Sequence, residues 1–361
     1  MIISGGGTGG HVFPAIAIAN AFKERHPDAE ILFVGAEGKM EMTRVPEAGY
    51  KIIGLKISGI KRSLSLSNVW LPFKLIMSIL KARRIVREFK PHVAIGTGGY
   101  ASGPLMWAAT RYGVPALLQE QNSYAGLTNK QLAGKVKTIC VAYPGMENYF
   151  PKEKLVLTGN PVRKDILQLE HKKENACRHF GLDPAVKTLL VLGGSGGART
   201  INESILAGLD KFMAAGIQMI WQTGKVYFPA VKSQTDGREM KRIHVYDFLK
   251  EMDLAYAAAH VVVSRAGALS ISELCLAKKP VVLIPSPNVA EDHQTKNAEA
   301  LVKENAAVMI ADKEAVASLA GTALDLLNNS DRCEQLSVNI ARLGKPLAAE
   351  AIVDEIEKLI V

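Results

Sequence analysis

Three glycine-rich clusters each stand between a short apolar run and a stretch with helical apolar spacing. They are GGGTGG at 5–10, GTGGYASG at 96–103 and GGSGGAR at 193–199. Short apolar runs are typical of strands buried on both faces of a parallel sheet. Glycine in the following turn permits positive φ and close approach to the main chain, and the amide groups at the helix start attract an anion. The clusters therefore predict an α/β chain whose strand-to-helix turns bind an anion, most simply a phosphate.

The same alternation of strand and helix extends along the whole chain. Strands are predicted at MIIS, EILFVGA, HVAIGTG, ALLQE, TICVA and LVLTGN, and again at KTLLVLGGSGG, IQMIWQTG, IHVYDF, HVVVSRAG and PVVLIPSP. Helices are predicted at 14–26 and 74–89. A length of 361 residues exceeds what one core usually organises, and the pattern restarts after GNPVR. We predict two parallel-sheet domains, 1–162 and 163–342, followed by an amphipathic C-terminal helix at about 343–361.

Charge and cysteine usage limit the class of protein further. Residues 51–90 hold ten lysines and arginines against one acid, Glu88, in a chain of net charge +9, so this segment favours an anionic neighbour. The four cysteines lie far apart without a CxxC pair, which predicts buried structural thiols and a reducing compartment. No signal peptide is recognisable, and no run approaches the roughly 18 apolar residues that span a bilayer. We expect a protein that is soluble or lies on a membrane surface.

His11 directly follows the first glycine cluster, in the first turn of a helix. The positive end of the helix dipole disfavours a protonated ring, and a general base requires a neutral one. A histidine that only caps its own turn is the alternative, and position alone does not separate the two. Gly5, Gly7 and Gly10 also satisfy GxGxxG, with Glu37 just past the second strand, so a dinucleotide site stays open. Walker A is excluded because no Lys-Ser or Lys-Thr follows these glycines.

A second constellation lies in VVVSRAGALSISE at 261–273. A strand ends at Ser264, and the small residues 266–268 open a helix that could admit a diphosphate to its N-terminus. Glu273, about one turn inside, could accept hydrogen bonds from both hydroxyls of a ribose. Ser270 and Glu273 also have the spacing of a capping box, so the local pattern leaves both interpretations open.

Seven motifs in these positions resemble the MurG family of bacterial glycosyltransferases. They are GGGTGGHVFPAIAIA, GTGGYASGPLMWAA, QEQNSYAGLTNK, TGNPVR, VLGGSGGART, SRAGALSISE and HQTKNA, in family order from residue 3 to 298. The resemblance implies a GT-B fold, α/β, with two Rossmann-like domains facing an interdomain cleft and the C-terminal helix packing back on the first domain. It also implies transfer of N-acetylglucosamine from UDP-N-acetylglucosamine (UDP-GlcNAc) to lipid I, which yields lipid II for peptidoglycan.

The family motifs carry residue roles over to this chain. The resemblance implies that Glu273 holds the ribose, that Phe248 and Leu249 border the uracil, and that Gln294 and Asn297 bind sugar hydroxyls. His293 stays open because some members have paired glutamines here. The remaining implied donor residues are Thr8, Gly9, Gly10, Asn122, Arg163, Ser195, Ala268, Leu269, Ser270, Ile271 and Ser272. The acceptor diphosphate is assigned to Gly98, Gly99 and Tyr100.

The implied reaction is an inverting displacement in which the acceptor 4-hydroxyl attacks the anomeric carbon. His11 is the predicted base, while Arg163 and the helix start at 267–269 stabilise the departing UDP. No Asp-x-Asp motif occurs in the sequence, so neither a metal nor another cofactor is expected. A different lipid acceptor such as diacylglycerol, or an NAD(P)-binding oxidoreductase or nucleotide-binding module, remains an alternative.

The basic segment is expected to touch the membrane. NVWLPFKLIMSILKARRIVREFK mixes the apolar residues Trp70, Leu71, Phe73, Ile76 and Ile79 with Lys74, Lys81, Arg83, Arg84 and Arg87. Such a mixture is found where a helix rests on anionic lipid, although a core-facing helix with a basic rim has the same composition. With a lipid-linked acceptor, we expect a peripheral protein on the cytoplasmic face of the bacterial cell membrane. Other proteins of wall synthesis are candidate partners, and nucleic acid is not.

Overall fold

The computed structural model describes residues 1–57, 71–194, 196–236, 240, 242–289 and 292–360. The chain divides into two compact units. Unit 1 comprises Met1–Val162 and Leu347–Val361, and unit 2 comprises Arg163–Pro346. Within the described ranges, no helix combines the length and apolar character needed to cross a membrane.

Unit 1 is built on a seven-stranded, entirely parallel sheet of order β3-β2-β1-β4-β5-β6-β7. Its strands are β1 Ile2–Ser4, β2 Leu32–Ala36, β3 Lys51–Leu55, β4 Ala94–Gly96, β5 Ala116–Glu120, β6 Thr138–Val141 and β7 Leu155–Leu157. Its first helices are α1 Gly9–Arg25, α2 Glu41–Glu47, α3 Leu71–Phe89, α4 Ser102–Arg111 and α5 Leu127–Leu132. The strand order reverses between β1 and β4, so the turns that follow these two strands flank the point where α/β sheets usually bind ligands.

Unit 2 repeats this plan with six parallel strands in the order β10-β9-β8-β11-β12-β13. They are β8 Thr188–Leu192, β9 Gln218–Gln222, β10 Ile243–Tyr246, β11 Val261–Ser264, β12 Val281–Leu283 and β13 Val308–Met309. The helices are α6 Lys173–Phe180, α7 Arg199–Ala207, α8 Leu209–Ala214, α9 Phe228–Thr235, α10 Met252–Ala258, α11 Ala268–Ala277, α12 His293–Lys303, α13 Ala315–Asn328 and α14 Ser330–Arg342. Here the order reverses between β8 and β11. The predicted fold class, two parallel-sheet α/β units, is confirmed.

The C-terminal helix α15, Ala348–Ile360, belongs to unit 1. Its residues Ile352, Val353 and Ile356 are fully buried in the core formed with α1. Arg25 at the end of α1 pairs with Asp354, with an Nη1 to Oδ1 distance of 2.5 Å. The helix begins later than position 343, because α14 runs to Arg342 and Pro346 disfavours helix in the residue before it.

Two strands, β3 and β13, were not predicted from the sequence, and each has a physical reason. β3 is the edge strand of its sheet and opens on the exposed Lys51, so it lacks a continuous apolar run. β13 is only two residues long. Helix α1 begins at Gly9, ahead of the expected position 14, because Gly9 and Gly10 themselves adopt helical geometry.

Candidate active site

The two glycine turns of unit 1 pack against each other at the β1–β4 switch point. A Cβ atom at Gly5 would collide with Thr97 Oγ1, and one at Gly99 would collide with the Gly6 carbonyl oxygen. A Cβ at Gly6 would collide with a carboxylate oxygen of Glu41. These glycines are therefore required by close packing within the chain.

Glu41 supplies an internal anion to the first glycine turn. Its side chain is fully buried, and its two oxygens accept the Gly7 amide at 3.2 and 3.1 Å and the Ala36 amide at 3.0 Å. The sequence prediction that this turn offers its amides to phosphate is therefore wrong at Gly7. The Glu41 carboxylate at Gly7 also disfavours a dinucleotide phosphate at that amide. Thr8, Gly9 and Gly10 lie beyond it, where first-turn amides have no partner within the helix.

His11 lies in the first turn of α1 and is held by the turn after β4. Its Nδ1 is 2.9 Å from the Thr97 carbonyl oxygen and 2.9 Å from Gln121 Oε1. Gly98 and Gly99 have φ values of +95° and +77°, and a Cβ at Gly98 would lie 3.0 Å from His11 Nδ1. The half-buried ring of Tyr100 lies against Gly7. The predicted base and the predicted acceptor-diphosphate residues are thus neighbours in unit 1.

Asn122 is positioned by a buried carboxylate at the end of β5. Glu120 Oε1 accepts the Asn122 main-chain amide at 3.2 Å and its Nδ2 at 3.3 Å. The other oxygen accepts the Gly126 amide at 3.0 Å and Asn129 Nδ2 at 2.9 Å. Glu120 therefore fixes the loop that carries the predicted sugar contact.

In unit 2 the corresponding turns follow β8 and β11. Ser195 lies outside the described residues. Gly267 is the N-cap of α11, so Ala268, Leu269 and Ser270 contribute the first-turn amides. Ser270 is therefore not the N-cap, and the capping-box interpretation of Ser270 and Glu273 is excluded.

The next two residues of α11 make contacts within their own helix. Ile271 is 2% exposed within the core, and its amide donates to Gly267 O at 2.9 Å. Ser272 Oγ donates to Ala268 O at 3.0 Å. Of the predicted run 268–273, the first three residues and Glu273 are the ones whose polar groups are best placed for a ligand.

Glu273 is held by two donors of its own unit. Arg163 Nε lies 3.2 Å from its Oε1, and the buried Tyr256 hydroxyl donates to its Oε2 at 3.2 Å. Burial raises the pKa of the Glu273 carboxyl, opposed by the nearby Arg163 guanidinium. Burial likewise raises the pKa of the Tyr256 hydroxyl well above its ordinary value, so this group stays a donor. The carboxylate is thus fixed in orientation, with further lone pairs able to accept hydroxyl groups.

The other predicted donor residues differ in accessibility. Phe248 is half-buried, whereas Leu249 is 3% exposed and its amide donates to Gln222 Oε1 at 2.9 Å. Gln294 accepts the Ser286 amide at 2.8 Å. Asn297 is fully buried and donates to Ala266 O at 3.3 Å, which supports the turn before α11.

His293 is the first residue of α12, beside Gln294. Across the described part of the chain, no group of three or more His, Cys, Asp or Glu side chains is arranged to hold a metal ion. Cys140, Cys177 and Cys275 are buried as predicted, while Cys333 is only partly buried.

Sequence reasoning missed the residues that hold the predicted ones in place. The main examples are Glu41, Thr97, Glu120, Gln121 and Tyr256. The sequence does carry a signal for Glu120 and Gln121, because ALLQEQN places polar residues at the end of an apolar strand. Glu41 and Tyr256 carry no such signal, since their partners are distant in sequence.

Removal of the Glu41 carboxylate should destabilise unit 1. Glu41→Ala leaves the amides of the partly buried Gly7 and the buried Ala36 without this acceptor, at an expected cost of about 1–3 kcal/mol for each. Urea denaturation measures the loss of unfolding free energy. Glu47→Ala is the control, because Glu47 is 53% exposed and should change stability by less than about 0.5 kcal/mol. Equal effects of the two substitutions would contradict the role given to Glu41.

Comparison with known proteins identifies the family. Residues 1–141 match the glycosyltransferase family 28 N-terminal domain, and residues 188–352 match the glycosyltransferase family 28 C-terminal domain. A Parabacteroides distasonis protein named UDP-N-acetylglucosamine–N-acetylmuramyl-(pentapeptide) pyrophosphoryl-undecaprenol N-acetylglucosamine transferase is 59% identical over 100% of this chain and 98% of its own length.

Two further matches agree with this one. A Flavobacterium psychrophilum protein of the same name is 50% identical over 99% of this chain and 97% of its own. The crystal structure of Acinetobacter baumannii MurG aligns with a TM-score of 0.78 and 28% identity, covering 99% of both chains. The resemblance and the GT-B fold predicted from the sequence are thereby confirmed, and the chain belongs to glycosyltransferase family 28, in its MurG group.

Proposed function

We propose that this chain transfers N-acetylglucosamine from UDP-GlcNAc to the 4-hydroxyl of the N-acetylmuramyl group of lipid I, forming the β1,4 linkage of lipid II. Full-length relatives with this activity in their names support the substrates. The observation that carries the mechanism is the His11 side chain, whose Nδ1 faces two oxygen atoms while the ring stays half-buried.

His11 acts as the general base in this proposal. The Thr97 carbonyl can only accept a hydrogen bond, so Nδ1 carries the proton and Nε2 of the neutral ring has a lone pair. As the acceptor hydroxyl attacks the anomeric carbon, its proton moves to Nε2, and the bond from that carbon to UDP breaks. The sugar inverts from α to β in one displacement, through a transition state with oxocarbenium character.

Unit 2 binds the donor. The first-turn amides of α11 and the positive end of its dipole suit a diphosphate, and the Glu273 carboxylate suits the vicinal hydroxyls of ribose. Arg163 and the same helix start stabilise the negative charge that develops on departing UDP. Phe248, Leu249, Gln294, Asn297 and Asn122 remain proposed contacts for uracil and sugar, and Gly98, Gly99 and Tyr100 for the acceptor diphosphate.

The proposed location is peripheral, at the cytoplasmic face of the membrane, and helix α3 supports the contact with lipid. Its outer face exposes Phe73, Ile76, Met77 and Leu80 by 49–58%. The exposed residues Arg83, Arg84 and Arg87 follow in the last two turns, and Ala82, Ile85 and Val86 fill the opposite, buried face. An apolar end continued by a basic end is suited to anionic lipid. Ile79 is only half-exposed, and Trp70 lies outside the described residues, as do the basic residues between 58 and 70.

The transfer reaction tests the function directly. Purified protein with labelled UDP-GlcNAc and a lipid I analogue should form lipid II, while diacylglycerol should accept no sugar. His11→Ala should lower kcat by about 100- to 10,000-fold, because the base is lost, and leave UDP-GlcNAc affinity unchanged. A parallel reaction with chelator tests the expectation of metal independence. Transfer to diacylglycerol alone would overturn the acceptor, and full turnover by His11→Ala would overturn the base.

Donor affinity should depend on pH through Glu273. The pKa of this carboxyl is raised above its ordinary value by burial, so on acidification Glu273 protonates sooner than a solvent-exposed glutamate would and loses acceptor capacity for ribose. UDP-GlcNAc affinity, measured calorimetrically, should therefore weaken on acidification. The Glu273→Gln variant should bind UDP-GlcNAc about 10- to 100-fold more weakly at neutral pH, and its affinity should not weaken further through this group on acidification.

Asp165→Asn is the matched control for that titration. Burial raises the pKa of Asp165 as well, and Arg163 lies near both acids. The Asp165→Asn variant should keep the pH dependence of wild type. If Glu273→Gln kept it too, the ribose assignment would be refuted.

Membrane attachment should require the apolar end of α3. Sedimentation with phosphatidylglycerol vesicles should recover more protein than with phosphatidylcholine vesicles, and added salt should weaken binding because the arginines contribute electrostatically. Ile76→Glu should reduce the bound fraction severalfold. Val338→Glu replaces a similarly exposed residue, 47%, of α14 in unit 2 and should bind as wild type. Equal binding of both variants would contradict a docking role for α3.

A further inference from the structure

Three buried amide side chains of unit 1 form a row of hydrogen bonds that ends at the His11 ring. Gln119 and Gln121 extend from the end of β5, and Asn160 follows β7; their exposures are 0%, 1% and 3%. Asn160 Nδ2 donates to the Gln121 carbonyl oxygen at 3.0 Å, and Gln119 Nε2 donates to Asn160 Oδ1 at 3.0 Å. Because these three amide groups are buried away from water, they must form hydrogen bonds within the protein.

The orientation of the Gln121 amide follows from its surroundings. Its Nε2 donates to the Thr97 carbonyl at 2.7 Å, to the Gln119 carbonyl at 3.1 Å and to Gln119 Oε1. If the Gln121 amide were reversed, its Oε1 would face these three acceptor oxygens, and none of them would receive a hydrogen bond from Gln121. Gln121 Oε1 must therefore face His11.

His11 Nδ1 consequently faces two groups that can only accept, the Thr97 carbonyl and Gln121 Oε1, each at 2.9 Å. The contact with Gln121 Oε1 is fixed in place, because Gln121 Nε2 donates to three oxygen atoms on Thr97 and Gln119. Thr97 O is shared between His11 and Gln121, so loss of the glutamine would also release this carbonyl.

We propose that Gln121 is a positioning residue which, backed by Gln119 and Asn160, fixes His11 as the Nδ1–H tautomer with Nε2 as the proton acceptor. The catalytic consequence rests on the proposed function of His11 as base, whereas the tautomer itself does not. Gln121 touches no reacting atom in this proposal; it acts through the orientation of the imidazole ring.

The tautomer can be measured on the free wild-type protein. In a sample with ¹⁵N-labelled histidine, the His11 signals are identified by their absence from His11→Gln. At a pH where the ring is neutral, two-bond and three-bond couplings should show a protonated Nδ1 and an unprotonated Nε2. A protonated Nε2 would overturn the proposal without any reference to activity.

The kinetic arm uses Gln121→Met, which keeps the side-chain volume but removes both hydrogen-bonding functions. We expect kcat to fall about 10- to 100-fold, with the KM for UDP-GlcNAc unchanged and the proportion of Nε2–H tautomer increased. An unchanged kcat with an unchanged tautomer would overturn the proposal.

Gln218→Met separates positioning from general destabilisation. Gln218 is 3% exposed in unit 2 and bonds to Asp183 through both ends of its amide. The Gln218→Met variant should lose stability but keep wild-type kcat at temperatures where it is folded. A kcat loss equal to that of Gln121→Met would assign the effect to stability and overturn the proposal. If His11→Ala is fully active while the tautomer is as stated, the base assignment fails and the positioning of the ring stands.

Discussion

Thr97 joins the two strand ends on which unit 1's candidate site depends. Its amide donates to Ser4 O at 2.9 Å, its hydroxyl donates to His11 O at 2.8 Å, and its carbonyl accepts from the His11 ring. One residue therefore connects β1, the start of α1 and the turn after β4. The glycine at position 5 follows from this arrangement, because the Thr97 hydroxyl occupies the space of its missing side chain.

Both units contain carboxylates that are held in place by donors of the same unit. Glu41 holds the first glycine turn, Glu120 holds the Asn122 loop, and Glu273 is held by Arg163 and Tyr256. Each carboxylate is matched by amide, hydroxyl or guanidinium donors. Glu41 accepts the main-chain amides of Gly7 and Ala36, and Glu120 accepts both main-chain and asparagine side-chain amides of its own loop, which suits a positioning role for both. Glu273 meets side chains and retains lone pairs for a ligand, which suits the ribose role proposed for it.

The sequence predicted the parts of the fold that are local. Buried strands, glycine turns and the start of α11 all leave patterns within a dozen residues, and these appear where expected. The edge strand β3 and the two-residue β13 leave too weak a pattern. At the candidate site, His11 and Glu273 stand out by position. Glu41 does not, because its partner Gly7 is 34 residues away and only the folded sheet brings them together.

The first glycine cluster illustrates the limit of motif reasoning. Glycine-rich turns indicate that something approaches the main chain closely, and a phosphate was the natural expectation. In the folded chain, the Thr97 and Glu41 side chains occupy the space where side chains of Gly5 and Gly6 would lie. The helix start at Gly9 and Gly10 is a separate feature. Which atom fills the space is a tertiary property that no local pattern contains.

In the proposed mechanism, one oriented base, His11, drives a single displacement at the anomeric carbon. The configuration of the product reports on this step, because a lone base gives inversion whereas a covalent sugar–enzyme intermediate gives retention. Proton NMR of the transferred sugar in lipid II made from α-linked UDP-GlcNAc should show the large H1–H2 coupling of a β linkage. The small coupling of an α linkage would contradict the account.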